Sequence, residues 1–94
     1  MKNDTIHRYP LQLKTGKQGI VMPEGAELLT VQIQDRNPVL WALMNPFNKK
    51  IERFFQLFQT GEAICSNNNE YVYISSFQLV KQGASFHVFE VITV

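Results

Sequence analysis

Short apolar and β-branched runs alternate with turn residues along the whole chain. The most regular run is Ala26–Gln34, in which Leu29, Val31 and Ile33 are separated by polar residues. Successive side chains of a strand point to opposite faces, so a period of two assigns these three residues to one face. The run therefore predicts a strand with one side in a hydrophobic core.

Six further segments have the composition of β-strands and are bounded by glycine, proline, asparagine or other polar residues. They are Ile6–Leu13, Gln18–Met22, Val39–Met44, Ile51–Thr60, Glu70–Val80 and Ser85–Val94. Pro10 cannot donate a backbone hydrogen bond to a neighbouring strand, so we expect it at the edge of a sheet or at a bend. Val39–Met44 is apolar on both faces and is predicted to be a central strand.

Turn residues separate these segments. Pro23-Glu24-Gly25 combines the fixed φ of proline with a glycine that tolerates positive φ. Asp35–Pro38 and Gln82-Gly83 are predicted to connect antiparallel neighbours as hairpins. The sequence therefore predicts one all-β domain over residues 1–94, built as a small antiparallel meander, sandwich or barrel of six to eight strands.

The segment Ile51–Thr60 is compatible with two structures. Ile51, Phe54, Phe55 and Phe58 have the i, i+3, i+4, i+7 spacing of an amphipathic helix. The phenylalanines and the β-rich neighbouring segments favour a strand instead. We therefore expect a strand, with one short helix at 51–60 as the alternative, and a stop at the following glycine.

Two C-terminal segments show alternation that assigns side chains to faces. In Glu70–Val80, five alternating residues are expected on one face: Tyr71, Tyr73, Ser75, Phe77 and Leu79. In the last segment, His87 and Phe89 alternate with Phe86 and Val88, so the two pairs are expected on opposite faces.

Composition and charge limit the classes of partner. The chain is 45% hydrophobic and 12% aromatic, which argues against disorder. Its formal net charge of +1 argues against attraction to a membrane surface or a nucleic-acid backbone. Because several strands are apolar on both faces, the fold is expected to close on itself or to form a homo-oligomer. The single Cys65 and the absence of an apolar run in the first ten residues lead us to expect a cytoplasmic protein.

The sequence contains no recognisable catalytic or metal-binding motif. His7, His87 and Cys65 do not have the spacing of a preset metal site. Cys65 has no neighbouring base along the chain that would lower its pKa and activate it as a nucleophile. No glycine-rich phosphate loop opens onto a helix. We therefore expect a protein that is not an enzyme and that has no metal or cofactor.

Seven residues are candidates for ligand binding. They are Lys49, Lys50, Arg53, Phe55, Thr60, Gly61 and His87. The lysines and the arginine form a basic cluster among aromatic residues, a combination that can pair with phosphate and stack on a base. The threonine and glycine offer a hydroxyl and an accessible backbone. The competing interpretation of the basic cluster is a solvated loop followed by core phenylalanines.

Seven segments together resemble a family of short, uncharacterised proteins of tailed bacteriophages and prophages. The matching segments are Tyr9-Pro10-Leu11, Met22–Ala26, Val31–Gln34, Leu40–Leu43, Arg53-Phe54, Thr60–Ile64 and Phe86–Glu90. They occur in the same order as in that family and extend over most of the chain. Two features depart from its pattern: Asn45-Pro46 replaces a frequent Asp-Pro pair, and residues 91–94 extend beyond the usual ending.

The resemblance implies a phage accessory protein that acts inside a bacterium. The family has no established activity to transfer to these residues. Small phage proteins include oligomeric sponges that sequester nucleotide-derived immune signals, inhibitors that bind a host protein, and minor virion components. We expect a non-enzymatic binding protein, with sequestration of a nucleotide-like signal as the preferred function and host-enzyme inhibition or a structural role as the alternative.

Overall fold

A computed structural model describes residues 4–65 and 68–93 of the chain. These residues form seven strands and one 3₁₀ turn: β1 (Thr5–Pro10), β2 (Lys17–Pro23), β3 (Glu27–Gln34), β4 (Asn37–Met44), β5 (Lys50–Gln59), β6 (Asn69–Leu79), the 3₁₀ turn (Val80–Gln82) and β7 (Ala84–Thr93). The prediction of an all-β fold is confirmed. Val94, the end of the last predicted strand, lies outside the described residues. No helix in the described segments has the length and apolar character needed to cross a membrane.

The strands form two antiparallel sheets. The first has the order β1-β4-β3 and the second the order β2-β5-β7-β6. Pro10 lies on the edge strand β1, which is one of the two positions predicted for it, and the doubly apolar β4 is central in its sheet. Both sheets contribute one face to a common hydrophobic core, so the arrangement is a sandwich rather than a meander or a closed barrel.

The hydrophobic core is formed by the inward-facing residues of the strands and of two connecting segments. Its buried members come from every strand except β1, together with the segments that follow β1 and β2: Leu11, Met22, Ala26, Val31, Leu40, Ala42, Phe55, Leu57, Phe77 and Val88. Phe55 is the largest side chain with essentially no exposure. It lies on the inner face of β5, two residues before Leu57, as the period of two requires.

The ambiguous fifth segment is a strand, and the helical alternative at 51–60 is wrong. Its backbone pairs with β2 on one side and with β7 on the other. The ladders to β2 and β7 and the burial of Phe55 and Leu57 on one face stabilise the strand. A helix would satisfy its own backbone, but it would leave the facing edges of β2 and β7 without hydrogen-bond partners. Gly61, at φ +92°, lies in the turn that follows the end of the strand at Gln59.

Two β-bulges change the faces predicted from simple alternation. In β3 the register shifts between Leu28 and Thr30, so Leu28 packs against the core while Leu29 is exposed. In β6 it shifts between Tyr73 and Ser75, so Tyr73 lies on the outer face and Phe77 on the inner one. A bulge inserts one extra residue and reverses the alternation beyond it. The predicted common face for all five residues of β6 is therefore wrong.

The edge strands β3 and β6 approach each other where the two bulges lie. The hydroxyls of Thr30 and Ser75 are 3.3 Å apart, and the Ser75 hydroxyl also donates to the carbonyl of Val31 at 3.3 Å. The two strands share no backbone ladder: β3 pairs only with β4, and β6 pairs only with β7. Side-chain hydrogen bonds therefore join the two sheets along this seam.

The predicted hairpin between β3 and β4 is a two-residue turn, Asp35-Arg36, closed by the pair Gln34 and Asn37. Its φ values are +50° for Asp35 and +71° for Arg36. Positive φ at both central positions is the type I′ pattern, which matches the twist of the strands and favours Asn-Gly. An arginine in this region is strained, because its Cβ crowds the backbone.

We expect Arg36→Gly to raise the free energy of unfolding by about 1 kcal/mol, because glycine adopts φ +71° without a Cβ clash. Urea denaturation followed by tryptophan fluorescence would measure the change. Arg36→Ala is the matched control, since it removes the same long side chain but retains the Cβ. Equal stability of the glycine and alanine variants would contradict the strain at this turn.

Candidate functional site

A tight turn at the end of β5 positions Thr60. The amide of Glu62 donates to the carbonyl of Gln59 at 2.9 Å, and Gly61 occupies the position that requires positive φ. The Glu62 carboxylate accepts a hydrogen bond from the amide of Gln59 at 3.0 Å. The amide of Thr60 donates to the carbonyl of Ser85 at 3.1 Å, which holds the turn against the start of β7.

Four polar side chains form a continuous hydrogen-bonded chain on the outer face of the four-stranded sheet. Thr60 Oγ1 lies 2.7 Å from His87 Nε2, and Ser76 Oγ lies 2.7 Å from His87 Nδ1. Tyr73 Oη lies 2.8 Å from Ser76 Oγ. The strand register explains the meeting, because His87 pairs with Ser76 of β6 and with Phe58 of β5.

His87 connects two hydroxyl groups through its two ring nitrogens. In a neutral imidazole one nitrogen donates and the other accepts, so the chain can run in either direction according to the tautomer. In both directions Thr60 and Tyr73 are the ends of the chain. Their hydroxyls therefore keep hydrogen-bonding capacity for a ligand, in a chain whose members polarise one another.

Aromatic rings surround this polar chain. Phe58 packs edge-to-face on Phe89, with ring centroids 5.7 Å apart, and on Tyr71, at 5.5 Å. Tyr73 packs edge-to-face on Phe89 at 5.6 Å and is itself 56% exposed. This outer face therefore offers an accessible aromatic surface, supported from behind by buried Phe58.

The turn, three members of the polar chain (Thr60, His87 and Tyr73) and the rings border an open cleft of about 280 Å³. Its lining combines aromatic, hydroxyl, amide and carboxylate groups: Phe58, Gln59, Thr60, Gly61, Glu62, Ile64, Tyr73, His87 and Phe89. Within the described segments, no lysine or arginine lines it, and Glu62 supplies a carboxylate. The cleft therefore suits a ring-bearing ligand with hydroxyl groups better than a phosphate group.

Three of the seven sequence-predicted residues meet in this cleft, namely Thr60, Gly61 and His87. His87 and Phe89 share the outer face, as their alternation with Phe86 and Val88 predicted. The other four candidates lie elsewhere. Phe55 is in the core and has no exposed surface with which to contact a ligand.

Arg53 is engaged on the inner side of the second sheet. Its Nε and Nη2 donate to the two carboxylate oxygens of Glu90 at 2.6 and 2.8 Å, and its Nη1 donates to the carbonyl of Ala26 at 2.6 Å. The Arg53 and Glu90 side chains are only 18% and 14% exposed. This bidentate pair makes Arg53 a structural residue instead of a free cation for phosphate.

Lys49 and Lys50 lie at the opposite end of β5 from the cleft. Lys49 is exposed and 4.0 Å from the carboxylate of Glu24, and the ammonium group of Lys50 donates to the carbonyl of Pro46 at 3.2 Å. From Lys50 to Gln59 an extended strand covers about 30 Å, at about 3.3 Å per residue. The predicted basic cluster therefore does not meet the cleft residues.

Sequence reasoning missed Tyr73 and Ser76 as neighbours of His87. Simple alternation placed Tyr73 on the same face as Phe77, and only the bulge before Ser75 brings Tyr73 and Ser76 to one face. Within the described residues, no three His, Cys, Asp or Glu side chains are grouped as metal ligands would be.

The comparisons with known proteins identify a family for almost the whole chain. A family model described as "Domain of unknown function (DUF7352)" matches residues 2–93. Neither the search of curated proteins nor the search of solved structures found a match.

Proposed function

Because the chain belongs to the DUF7352 family, a domain of unknown function, we propose a function from its own cleft: non-enzymatic binding of a nucleotide-derived small molecule. The observation that carries the proposal is the joining of Thr60, His87, Ser76 and Tyr73 in one hydrogen-bonded chain beside accessible aromatic rings. Such a surface can recognise both parts of a nucleoside, the planar base and the hydroxylated sugar.

Different groups of the cleft contact the base and the sugar of the proposed ligand. The exposed ring of Tyr73, with Phe89 behind it, stacks on a base. Thr60 and the second carboxylate oxygen of Glu62 bind sugar hydroxyls, because the first oxygen already accepts from Gln59. The phosphate groups of the ligand extend away from the cleft, since no cation of the described chain lines it.

Binding without catalysis fits the surroundings of His87. A hydroxyl nucleophile activated by histidine normally has a third group, often a carboxylate, that orients the imidazole and stabilises its charged form. Here Ser76 occupies that position, and its neutral hydroxyl gives no such stabilisation. We therefore propose that the Thr60–His87 pair recognises a ligand and does not attack it.

The resemblance to phage and prophage proteins supports a biological setting for this binding. In the proposal, the protein is a phage accessory protein that acts as a homo-oligomer in the bacterial cytoplasm and sequesters a nucleotide-derived immune signal. The edge strands β2 and β6 carry exposed apolar residues, among them Val21 at 58% and Val72 at 46%. These side chains are available for contacts between copies. Native mass spectrometry of freshly purified protein would give the number of copies and any co-purified ligand.

We expect the protein to bind a nucleoside-containing compound from a panel of nucleosides, linear and cyclic nucleotides and ADP-ribose derivatives. Isothermal titration calorimetry would measure the dissociation constants. Removal of the phosphate groups from the best compound should weaken binding by no more than about tenfold, because the cleft contacts the base and sugar. Failure of every compound to bind at millimolar concentration would refute the proposal.

Thr60→Val is the variant that tests the site, because it removes the hydroxyl from His87 Nε2 and retains the shape of the side chain. We expect a loss of affinity of roughly tenfold, the effect of leaving a polar partner unpaired. Thr5→Val is the matched control, since Thr5 is exposed on β1 and outside the cleft. Equal affinity of both variants for the ligand would show that the hydroxyl chain takes no part in binding.

A further inference from the structure

A second concave surface lies at the seam between the two sheets. Beyond the contact between Thr30 and Ser75, the ends of β3 and β6 leave a crevice of about 310 Å³. Its lining includes Ile33 and Arg36 on one side and Leu79 on the other. It shares no residue with the cleft around His87.

The lining of this crevice is mainly apolar and open to solvent. Val80 is 87% exposed, Leu13 is 44% exposed and Ile33 is 37% exposed. The 3₁₀ turn that carries Val80 has no buried residue. An exposed valine at this position contributes little to folding, so its apolar surface is available for contact with another molecule.

Two cations border the apolar surface. Arg36 and Lys81 line the crevice, and no Asp or Glu of the described segments does so. The two ion pairs formed within residues 4–65 and 68–93 are Lys49–Glu24 and Arg53–Glu90, so neither cation is neutralised by a salt bridge there. Arg36 also adopts φ +71°, where glycine would be more stable. Strain retained at a charged residue is typical of a functional position.

The backbone at the crevice is also suited to recognition. β3 and β6 are edge strands of their respective sheets, and each forms a ladder on one side only. An extended peptide can pair with such an edge through its main chain, while its alternate side chains enter pockets. The crevice therefore offers main-chain hydrogen bonds, an apolar floor and positive charge together.

We propose that this crevice binds an extended segment of a partner protein in which apolar residues alternate with Asp or Glu. The apolar side chains contact Leu13, Ile33 and Val80, and the carboxylates pair with Arg36 and Lys81. The charge of the rim selects an acidic segment, and the exposed strand edges select an extended one. This interaction is independent of the proposed ligand cleft.

The probe is a fluorescein-labelled, N-acetylated heptapeptide of alternating valine and glutamate, with a valine–lysine peptide as its counterpart. Fluorescence anisotropy should show binding of the acidic peptide and at least about tenfold weaker binding of the basic one. Equal affinities, or no binding of the acidic peptide at millimolar concentration, would overturn the proposal. Decanoate is the competitor that represents an amphipathic small acid. If it displaces the labelled acidic peptide at a lower concentration than the unlabelled acidic peptide does, the proposal would also be overturned in favour of such an acid.

Arg36→Gly separates a binding role from a structural one. We expect this variant to melt at a higher temperature than the parent chain and to bind the acidic peptide roughly tenfold more weakly. Asp35→Asn is the control, because asparagine tolerates positive φ and the variant retains Arg36, so it should bind the acidic peptide at least as tightly as the parent chain. Unchanged peptide affinity in Arg36→Gly would refute the role of the arginine. Nucleoside binding should be the same in both variants, which distinguishes failure here from failure of the proposed cleft.

Discussion

Replacement of Arg53 by methionine is expected to lower the free energy of unfolding by about 3 kcal/mol. The variant leaves the Glu90 carboxylate, whose side chain is 14% exposed, without its bidentate partner. It also leaves the carbonyl of Ala26 without the donor that lies 2.6 Å away. The expected loss is in the lower part of the usual range because both charged side chains retain some contact with water.

Chemical denaturation would measure this loss, which corresponds to a fall in melting temperature of roughly 12–24 °C for a domain of this size. The double variant Arg53→Met/Glu90→Leu removes both charges, and we expect it to recover much of the stability. Lys50→Met is the matched control, because Lys50 is an exposed cation of the same strand. A loss below about 0.5 kcal/mol in Arg53→Met, within the usual range for surface substitutions, would show that the pair is not structural.

Replacement of Phe55 by alanine is expected to lower the free energy of unfolding by about 3–5 kcal/mol. The ring is fully buried between the two sheets, so the substitution removes apolar contacts and leaves a cavity. Since small domains are stable by only about 5–15 kcal/mol, the variant should be close to the limit of folding.

Phe47→Ala is the control for this prediction, because Phe47 is 80% exposed and its loss should change stability by less than about 0.5 kcal/mol. Phe55→Leu gives a second test if the alanine variant does not fold, since a smaller cavity should give a smaller loss. Differential scanning calorimetry would compare the three variants. Equal melting temperatures for Phe55→Leu and the parent chain would contradict the packing described for β5.

Arg53 and Phe55 show why the predicted basic cluster does not form a single ligand site. Lys49, Lys50, Arg53 and Phe55 are close in sequence, and cations beside aromatic rings are typical of nucleotide sites. In a strand, however, neighbouring residues alternate between faces and extend rapidly along the sheet. Arg53 and Phe55 therefore point inward, and the lysines remain at the far end of β5.

The sequence by itself determined the fold class, the strand nature of most segments and the central position of β4, and it limited Pro10 to an edge or a bend. These features depend on local periodicity, turn chemistry and the missing donor of proline, all of which act over a few residues. The same local pattern placed His87 and Phe89 on one face. Only the tertiary structure decided the two bulges, the pairing of Arg53 with Glu90, and the meeting of Thr60, Ser76 and Tyr73 around His87. Those contacts depend on strand order and register, which are set by how two sheets bury a shared core and not by any single segment.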